Sequence, residues 1–554
     1  MTRDAIVAFE RRYGSPANTL LSRLTSAQTE QGGLTVSAAD AIADEVGLPR
    51  AHVRGTASFF GDLGFDSRGR RHVRICDGTA CLAAAGPGHF AALRRSLIAD
   101  VETTVQGVYC LGYCYGGPAA LDGELPRAGP NLSSQLLGED RAADPEIPVR
   151  AAVDRPVVLA GIAGEESAWP VWREVLADGG RERVLREVDT ARLRGRGGAE
   201  FPVAAKWRAA AATRAEMRYV IANGDEGDPG SFADRLLMER DPDRILTGLA
   251  LASLACEATA GFVYVRSEYP RARDSIKEAI YRARAAGHLG RNIGGSDVDF
   301  DVEVVEGAGS YVAGEETSLI RSIEGLRGGV RPRPPFPTTE GLFGLPTAVN
   351  NVETLVAVPW ILAHGGASYA ELGVPDQTGT KVVCLNERFA RPGAVEVEFG
   401  TPAREICEVL GGGVRDGQSL RALQVGGPLG GFLGTDDLDV PLSEPCLRRI
   451  GIPLGHASLI AFDERIAGAA ILRHLWRFAA SESCGSCDPC RIGTKRGLEL
   501  VERDKEGPLC SEERQRLDAL FDVMATASMC AFGRGVPGSV RSLLRVYAEE
   551  LVAT

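Results

Sequence analysis

The chain contains no apolar run of 18 or more residues, which excludes a membrane-spanning helix read from sequence. It has no long basic stretch. Its Arg residues are scattered among Asp and Glu and the formal net charge is -12, which argues against a nucleic-acid surface. No internal repeat is visible, so a solenoid is not expected. The opening residues Met1 to Glu10 carry charges inside their apolar stretch and do not read as a signal peptide. A cytoplasmic protein with no direct membrane insertion is therefore expected. In that reducing setting the thirteen cysteines are not a disulfide framework, and clustered thiols favour metal binding. Hydrophobic residues make up an ordinary 44%, as in a folded globular protein, and 554 residues are too many for one core.

Two cysteine sets stand out. Near the C-terminus, Glu482-Ser-Cys484-Gly-Ser-Cys487-Asp-Pro-Cys490-Arg spells C-x2-C-x2-C, and Cys530 follows after a helical interval. The spacing lets one short loop cover three corners of a cubane, with Pro489 expected to prevent continuous helix there. Zinc also takes four cysteines, but more often as two CxxC pairs, so the pattern reads as a [4Fe–4S] site. Near the N-terminus, Cys76 and Cys81 form C-x4-C, and Cys110 and Cys114 form C-x3-C. Two pairs of thiolates suit a [2Fe–2S] rhomb, with zinc as the alternative. Cys256, on an apolar helix face, and Cys510, in a polar stretch, are given no role.

The fold class expected is a multidomain α/β chain. Residues 1–125 read as a helical segment followed by a small α/β domain with its cysteines on loops at strand ends. The helices are expected at Ala5–Phe9, at Thr19–Leu24 and from an N-capping Ser37 to Val46. Residues 126–155, rich in Pro, Gly, Asp and Ala, read as a linker. Residues 156–375 alternate strands with helices as a layered α/β domain, residues 376–460 are β-rich, and residues 461–554 read as a helical bundle.

A third site lies in the α/β region. Leu193-Arg-Gly195-Arg196-Gly197-Gly198-Ala-Glu200-Phe201 leads into a helix carrying Lys206, and its amides and basic side chains suit a phosphate. Four other segments accompany it: Asn223-Gly-Asp225-Glu226-Gly-Asp228-Pro-Gly230, Gly307 to Gly314-Glu315-Glu316-Thr317, Pro332-Arg333-Pro-Pro-Phe336-Pro337, and Asn350-Asn351-Val-Glu353-Thr354. Any one could be turn chemistry alone. Together they fit a flat heterocyclic cofactor held by backbone and amide contacts.

On these motifs, residues from about 160 to 550 closely resemble the flavin-bearing NADH-oxidising subunit of respiratory complex I, and residues 1–125 resemble its thioredoxin-like [2Fe–2S] partner, the two being fused here. The resemblance implies a thioredoxin-like [2Fe–2S] domain, a Rossmann-like FMN- and NADH-binding domain, a small ubiquitin-like (β-grasp) domain and a helical [4Fe–4S] domain. It implies FMN beside Gly195, Arg196, Gly197 and Gly198, held by Lys206, Asn223, Asp225, Glu226, Gly314, Glu315, Asn350 and Asn351. NAD(H) would stack over the flavin between Phe201 and Phe336, with Asp228 and Glu316 reaching its polar groups. Glu200 replaces the family's usual glycine. Among relatives, Tyr264-Val-Arg266-Ser-Glu268-Tyr-Pro270, Leu423 to Gly430 and Ser310-Tyr-Val look most like the beta subunit of molybdenum or tungsten formate dehydrogenases. The partners implied are a molybdenum or tungsten alpha subunit with further iron–sulfur clusters, and small accessory subunits. Complex I and NAD-reducing hydrogenases share the module.

Overall fold

A computed structural model describes residues 19–66, 68–98, 102–141, 146–164, 167–503 and 507–553. The helix expected at Ala5–Phe9 lies outside them. The chain forms two compact units. The first comprises residues 1–68, 153–226 and 233–381, and the second residues 69–152, 227–232 and 382–554.

The first unit is built on a four-stranded parallel sheet with strand order Asp301–Glu306, Ala260–Val265, Tyr219–Gly224, Thr347–Asn351. In chain order this is 3-2-1-4, a doubly wound sheet whose direction reverses between Tyr219–Gly224 and Thr347–Asn351. Ligands bind outside the carboxyl ends of such strands, at that reversal. The strands pair Ala222 with Asn350 and Asn223 with Asn351, so the two asparagine-bearing ends lie side by side there. The helices Pro242–Cys256 and Val352–His364 are buried nearly all round, as expected of helices covered on both sides.

The N-terminal helices pack in this unit, whereas sequence reading grouped them with the cysteine domain. Leu20–Gln31, Val36–Val46 and Arg50–Ala57 share one core with Ile221, Phe262, Tyr264, Val305, Leu319, Ile320 and Ile323. Their apolar spacing did not say which sheet they would cover. The second helix is capped by Thr35 rather than Ser37, because the Thr35 hydroxyl accepts from the Ala38 amide at 3.1 Å.

The second unit holds two sheets and a helical bundle. The smaller sheet has order Thr103–Val108, Arg71–Cys76, Ala119–Asp122, Leu125–Ala128, with the first pair parallel and the rest antiparallel. The expected linker is instead structure. Leu125–Ala128 is an edge strand, helix Leu132–Leu137 puts Leu132 and Leu136 into the core with Val73, Ile75 and Ala120, and Val149–Ala151 pairs with Gly393–Glu398 of the larger sheet. Its Pro and Gly content concealed elements too short for periodicity to reveal. The larger sheet runs Gly431–Leu433, Ala422–Val425, Ser458–Phe462, Thr380–Leu385, Gly393–Glu398, Val149–Ala151. Helices Gly468–Glu482, Asp488–Arg503, Ser511–Ala527 and Ala531–Val546 pack as a bundle. Among the described residues no helix is long and apolar enough to cross a membrane.

Candidate redox site

Each cysteine set converges. Cys76 ends its strand, Cys81 lies inside helix Thr79–Ala85 rather than on a loop, and Cys114 opens a turn, yet all four N-terminal cysteines are buried. Cys110 and Cys114 sulfurs are 3.5 Å apart. Amide donors point at this pocket: Gly112 to Cys110 Sγ and Gly230 to Cys114 Sγ, each at 3.3 Å. The Cys76 thiol is held down to about 7, first by its hydrogen bond with Cys81, then by the amides of Gly78, Leu111 and Cys110. Cys81 and Cys114 are pushed well up, chiefly through the neighbouring thiols. Four thiols crowded in one buried pocket oppose one another's ionisation, and a cationic core that binds thiolates would relieve this, which fits an iron–sulfur group.

The C-terminal set sits at helix ends. Cys484 and Cys487 occupy the loop after Gly468–Glu482, Cys490 lies in the first turn of Asp488–Arg503, and Cys530 is the residue before Ala531–Val546. Pro489 sits at the start of the second of these helices, where its missing N–H costs nothing, and the helix is not continuous there, as expected. Cys484, Cys490 and Cys530 are buried and Cys487 is partly exposed. The four thiols act on one another electrostatically, and burial pushes Cys490 up to about 12. A Cβ on Gly533 would lie 2.9 Å from Cys490 Cβ, so the backbone of one helix passes directly beside a ligand of another. This donor set also fits.

In the first unit, many of the residues expected at the switch point serve one another. Asn223 Nδ2 donates to the Gly314 carbonyl at 2.9 Å and its Oδ1 accepts from the Asp225 amide at 3.0 Å. Glu315 caps its helix, accepting from the Thr317 and Ser318 amides at 3.0 and 3.1 Å. Asn351 caps Val352–His364 and donates to Asp234 at 2.6 Å. Lys206 Nζ donates to the Val349 carbonyl at 2.8 Å, and burial holds its pKa below the ordinary lysine value. Glu226 is 2% exposed and accepts from the Asp234 and Arg235 amides, both at 3.1 Å. The buried Asn350 Nδ2 has no acceptor among the described residues, as a site for a polar heterocycle requires.

The glycine-rich loop is held from behind. The Arg196 side chain is 3% exposed and donates to Tyr369 Oη and the Thr378 carbonyl, so it anchors the loop rather than facing a phosphate. The Lys381–Glu353 pair, at 1% and 0% exposure, lies beneath it, with Lys381 also near the Arg196 carbonyl. A Cβ on Gly197 would lie 3.1 Å from Asn351 Cβ, so the loop backbone approaches the asparagine end closely. Glu200, at φ +51°, accepts a hydrogen bond from Gln377. Phe201 and Phe336 stand about half exposed, at 52% and 53%. Glu316 pairs with Arg333 at 2.7 Å. Asp228 belongs to the second unit, where its carboxylate lies beside the Gly427 turn. Lys381 and Gly230 escaped sequence reasoning: a lysine in a strand carries no local signal, and the Pro-Gly dipeptide of Gly230 reads only as a turn.

Comparisons with known proteins agree with this geometry. The family model described as Nuo51 FMN-binding domain matches residues 188–360, the NADH-ubiquinone oxidoreductase-F iron-sulfur binding region matches 470–554, and the thioredoxin-like [2Fe-2S] ferredoxin matches 6–124. The mitochondrial NADH dehydrogenase (ubiquinone) flavoprotein 1 of Dictyostelium discoideum is 37% identical over 380 residues, 68% of this chain and 79% of that one. The NADP-reducing hydrogenase subunit HndC of Solidesulfovibrio fructosivorans is 40% identical over 370 residues, 67% of this chain and 75% of that one. The chain belongs to this family of flavin- and iron–sulfur-bearing NADH-oxidising diaphorase subunits. Its fused form has a structural counterpart: a chain of NAD+-reducing [NiFe]-hydrogenase in the H2-reduced state superposes with TM-score 0.85 at 30% identity, covering 97% of this chain and 94% of that one. The cofactors are FMN, NAD(H), [2Fe–2S] and [4Fe–4S].

Proposed function

We propose that this chain exchanges a hydride between NAD(H) and FMN, and single electrons between FMN and its two cysteine pockets, within a complex whose partner carries the terminal substrate site. The observation that supports it is the doubly wound sheet with Asn223, Asn350 and Asn351 at its switch point, in one chain with two complete four-cysteine pockets. The bound flavin supplies the conversion between two-electron and one-electron chemistry. The protein's task is alignment, since hydride transfer needs the nicotinamide held within near-attack distance and no general base. Phe201 and Phe336 offer exposed aromatic faces for stacking a nucleotide. Glu316, already poised by Arg333, acts on nucleotide binding. A carboxylate near the ribose favours NAD over NADP by repelling a 2′-phosphate. Lys206, Asp225, Glu315 and Gly314 line the flavin side.

The test is direct. The purified chain should contain extractable FMN and reduce ferricyanide with NADH. Absence of FMN, or inactivity after flavin reconstitution, overturns the reading. Glu316→Gln should raise the Michaelis constant for NADH or the NADPH/NADH ratio; no change in either removes Glu316 from the nucleotide site.

For the partner, the reading carried by sequence is a molybdenum or tungsten subunit that oxidises formate. Among the residues behind it, besides the segments Leu423 to Gly430 and Ser310 to Val312, Tyr264, Arg266, Glu268 and Tyr269 are buried, with Arg266 and Glu268 paired at 2.8 Å. They describe the core of the diaphorase rather than a face that meets a partner. A second reading, a nickel subunit that oxidises hydrogen, is favoured by the superposition on a fused hydrogenase chain. Both use every residue of this chain in the same way. Metal analysis of the native complex separates them: molybdenum or tungsten with formate-dependent NAD+ reduction supports the first, and nickel with hydrogen-dependent reduction supports the second. Quinone-linked activity in membranes overturns both.

A further inference from the structure

The turn Phe59–Leu63 lies in the region matched by the thioredoxin-like [2Fe-2S] family, but the structure packs it into the flavin-bearing unit. It touches both segments that bound helix Glu316–Ile323. On the entry side, the Gly61 amide donates to the Gly309 carbonyl at 2.8 Å and the Asp62 amide to the Ala308 carbonyl at 3.0 Å. The Asp62 carboxylate accepts a hydrogen bond from Ser267 Oγ, at the carboxyl end of strand Ala260–Val265. Gly309 has φ +78°, and a Cβ there would lie 2.9 Å from Asp62 Cγ and 3.1 Å from Asp62 N. The turn Gly307–Tyr311 is therefore shaped around Asp62, and it runs straight into Gly314, Glu315 and Glu316.

On the exit side, a Cβ on Gly328 would lie 3.0 Å from Phe59 Cε1 and 3.4 Å from Phe60 Cζ. The Arg327 guanidinium sits over the Phe59 ring at 5.1 Å. This segment continues to Arg333, the ion partner of Glu316, and to Phe336. Asp62 is itself immobilised. Its carbonyl accepts from Gln28 Nε2 at 2.8 Å and from Arg68 at 2.7 Å, and Gln28 Oε1 accepts in turn from the Gly64 amide at 3.2 Å.

We propose that Asp62 is a positioning residue for nucleotide binding: tied to Ser267 and to Ala308, it sets the turn that delivers Glu315 and Glu316. The inference rests on the diaphorase reading above. It gives the N-terminal helices a task in the flavin unit separate from the [2Fe–2S] pocket. Losing a buried hydrogen bond to a carboxylate loosens the turn by an amount corresponding to about 10-fold in affinity. The effect belongs to binding, because Asp62 acts through the turn it holds with Ser267 and Ala308. Hydride transfer within the bound complex is untouched.

The experiment compares wild type, Asp62→Ala, Asp62→Asn and Ser267→Ala in the full-length holoprotein. NADH–ferricyanide kinetics and equilibrium binding of NAD+ are measured together with flavin content and the EPR signals of both clusters. The expected result for Asp62→Ala and Ser267→Ala is a Michaelis constant for NADH and an NAD+ dissociation constant raised about 10-fold, at unchanged kcat, flavin content and EPR signals. Asp62→Asn, which keeps an acceptor oxygen, should recover most of the loss. Ser267→Ala removes the same bond from the other end and decides the matter if Asp62→Ala does not accumulate. Unchanged constants in an active wild-type background overturn the inference alone, as does a parallel fall in kcat and flavin content. A wild type that neither binds nucleotide nor turns over overturns the diaphorase reading and this inference with it.

Discussion

The two cysteine pockets of the second unit solve one chemical problem with opposite architecture. The N-terminal pocket is assembled at the carboxyl end of a central strand, on a short helix and on a turn, has all four cysteines buried, and is lined with amide donors from Gly112 and Gly230. The C-terminal pocket is assembled from helix termini, has one backbone packed against a ligand at Gly533, and leaves Cys487 partly exposed. A closed pocket suits storage of an electron with little solvent reorganisation, and a pocket with one exposed corner suits exchange with a partner. Aromatic side chains connect them. Tyr109, beside Cys110, meets His474 and Phe478 at centroid distances of 6.0 and 5.1 Å, and Phe478 meets Phe532, two residues past Cys530, at 6.1 Å.

The strongest way to break this contrast is to remove one ligand from each pocket. Cys114→Ser is expected to abolish the [2Fe–2S] EPR signal and to lower the melting temperature by several degrees, since a cationic core no longer balances the buried sulfurs. Cys487→Ser should leave NADH-dependent flavin reduction intact, stopped-flow absorbance being the measure, while transfer to the partner fails. Normal transfer by that variant would show that electrons leave elsewhere.

The next comparison is steric. Gly533→Ala places a methyl 2.5 Å from Ser528 Oγ and 2.9 Å from Cys490 Cβ, whereas Gly78→Ala meets nothing closer than 3.2 Å, at the Cys110 amide. Overpacking costs about 1–3 kcal/mol at the first position, and the second should fall below that range. Iron content and thermal melts of the two variants check the order, and equal losses would erase the distinction between pockets.

Acid should act on the bridge between them. Burial first, then the charges of His89 and Arg477, hold His474 neutral, its pKa lowered to about 3. The unfolded chain therefore binds a proton that the folded chain refuses between about pH 6.5 and 3, so stability falls as pH drops through that window. From pH 6.5 to 5 the loss is about 2 kcal/mol. His474→Gln should flatten this part of the stability profile in urea titrations, and an unchanged slope would assign acid sensitivity to other groups. The smallest effect expected is from Thr494→Val. It removes the bond from Thr494 Oγ1 to the Cys490 carbonyl, 2.9 Å long, and costs about 1 kcal/mol in a chemical melt, with the [4Fe–4S] EPR signal preserved.

Much of this molecule is visible in one dimension because its chemistry is local. Ligand cysteines cluster since three corners of a core must be reached from one loop, and the glycine- and asparagine-rich turns lie at strand ends since a parallel sheet presents its sites there. The alternation of strands and helices after residue 156 and the helical bundle near the C-terminus followed from apolar period. Where the period was short or masked by Pro and Gly, as in Leu125–Ala128, Leu132–Leu137 and Val149–Ala151, the residues read as a linker although they complete two sheets.

Sequence by itself determined which atoms are available: eight thiolates in two sets, amides and carboxylates in glycine- and asparagine-rich segments, and two phenylalanines beside them. Tertiary structure alone decided what those atoms are free to do. Arg196 turns inward to Tyr369, Glu226 is spent on helix amides, Glu200 is held by Gln377, and the N-terminal helices cover the flavin sheet. The reason is physical. A residue's chemical type is carried by its own side chain, but its partners come from across the chain, as in the bond between Asp62 and Ser267, 205 residues apart, and no local pattern encodes them.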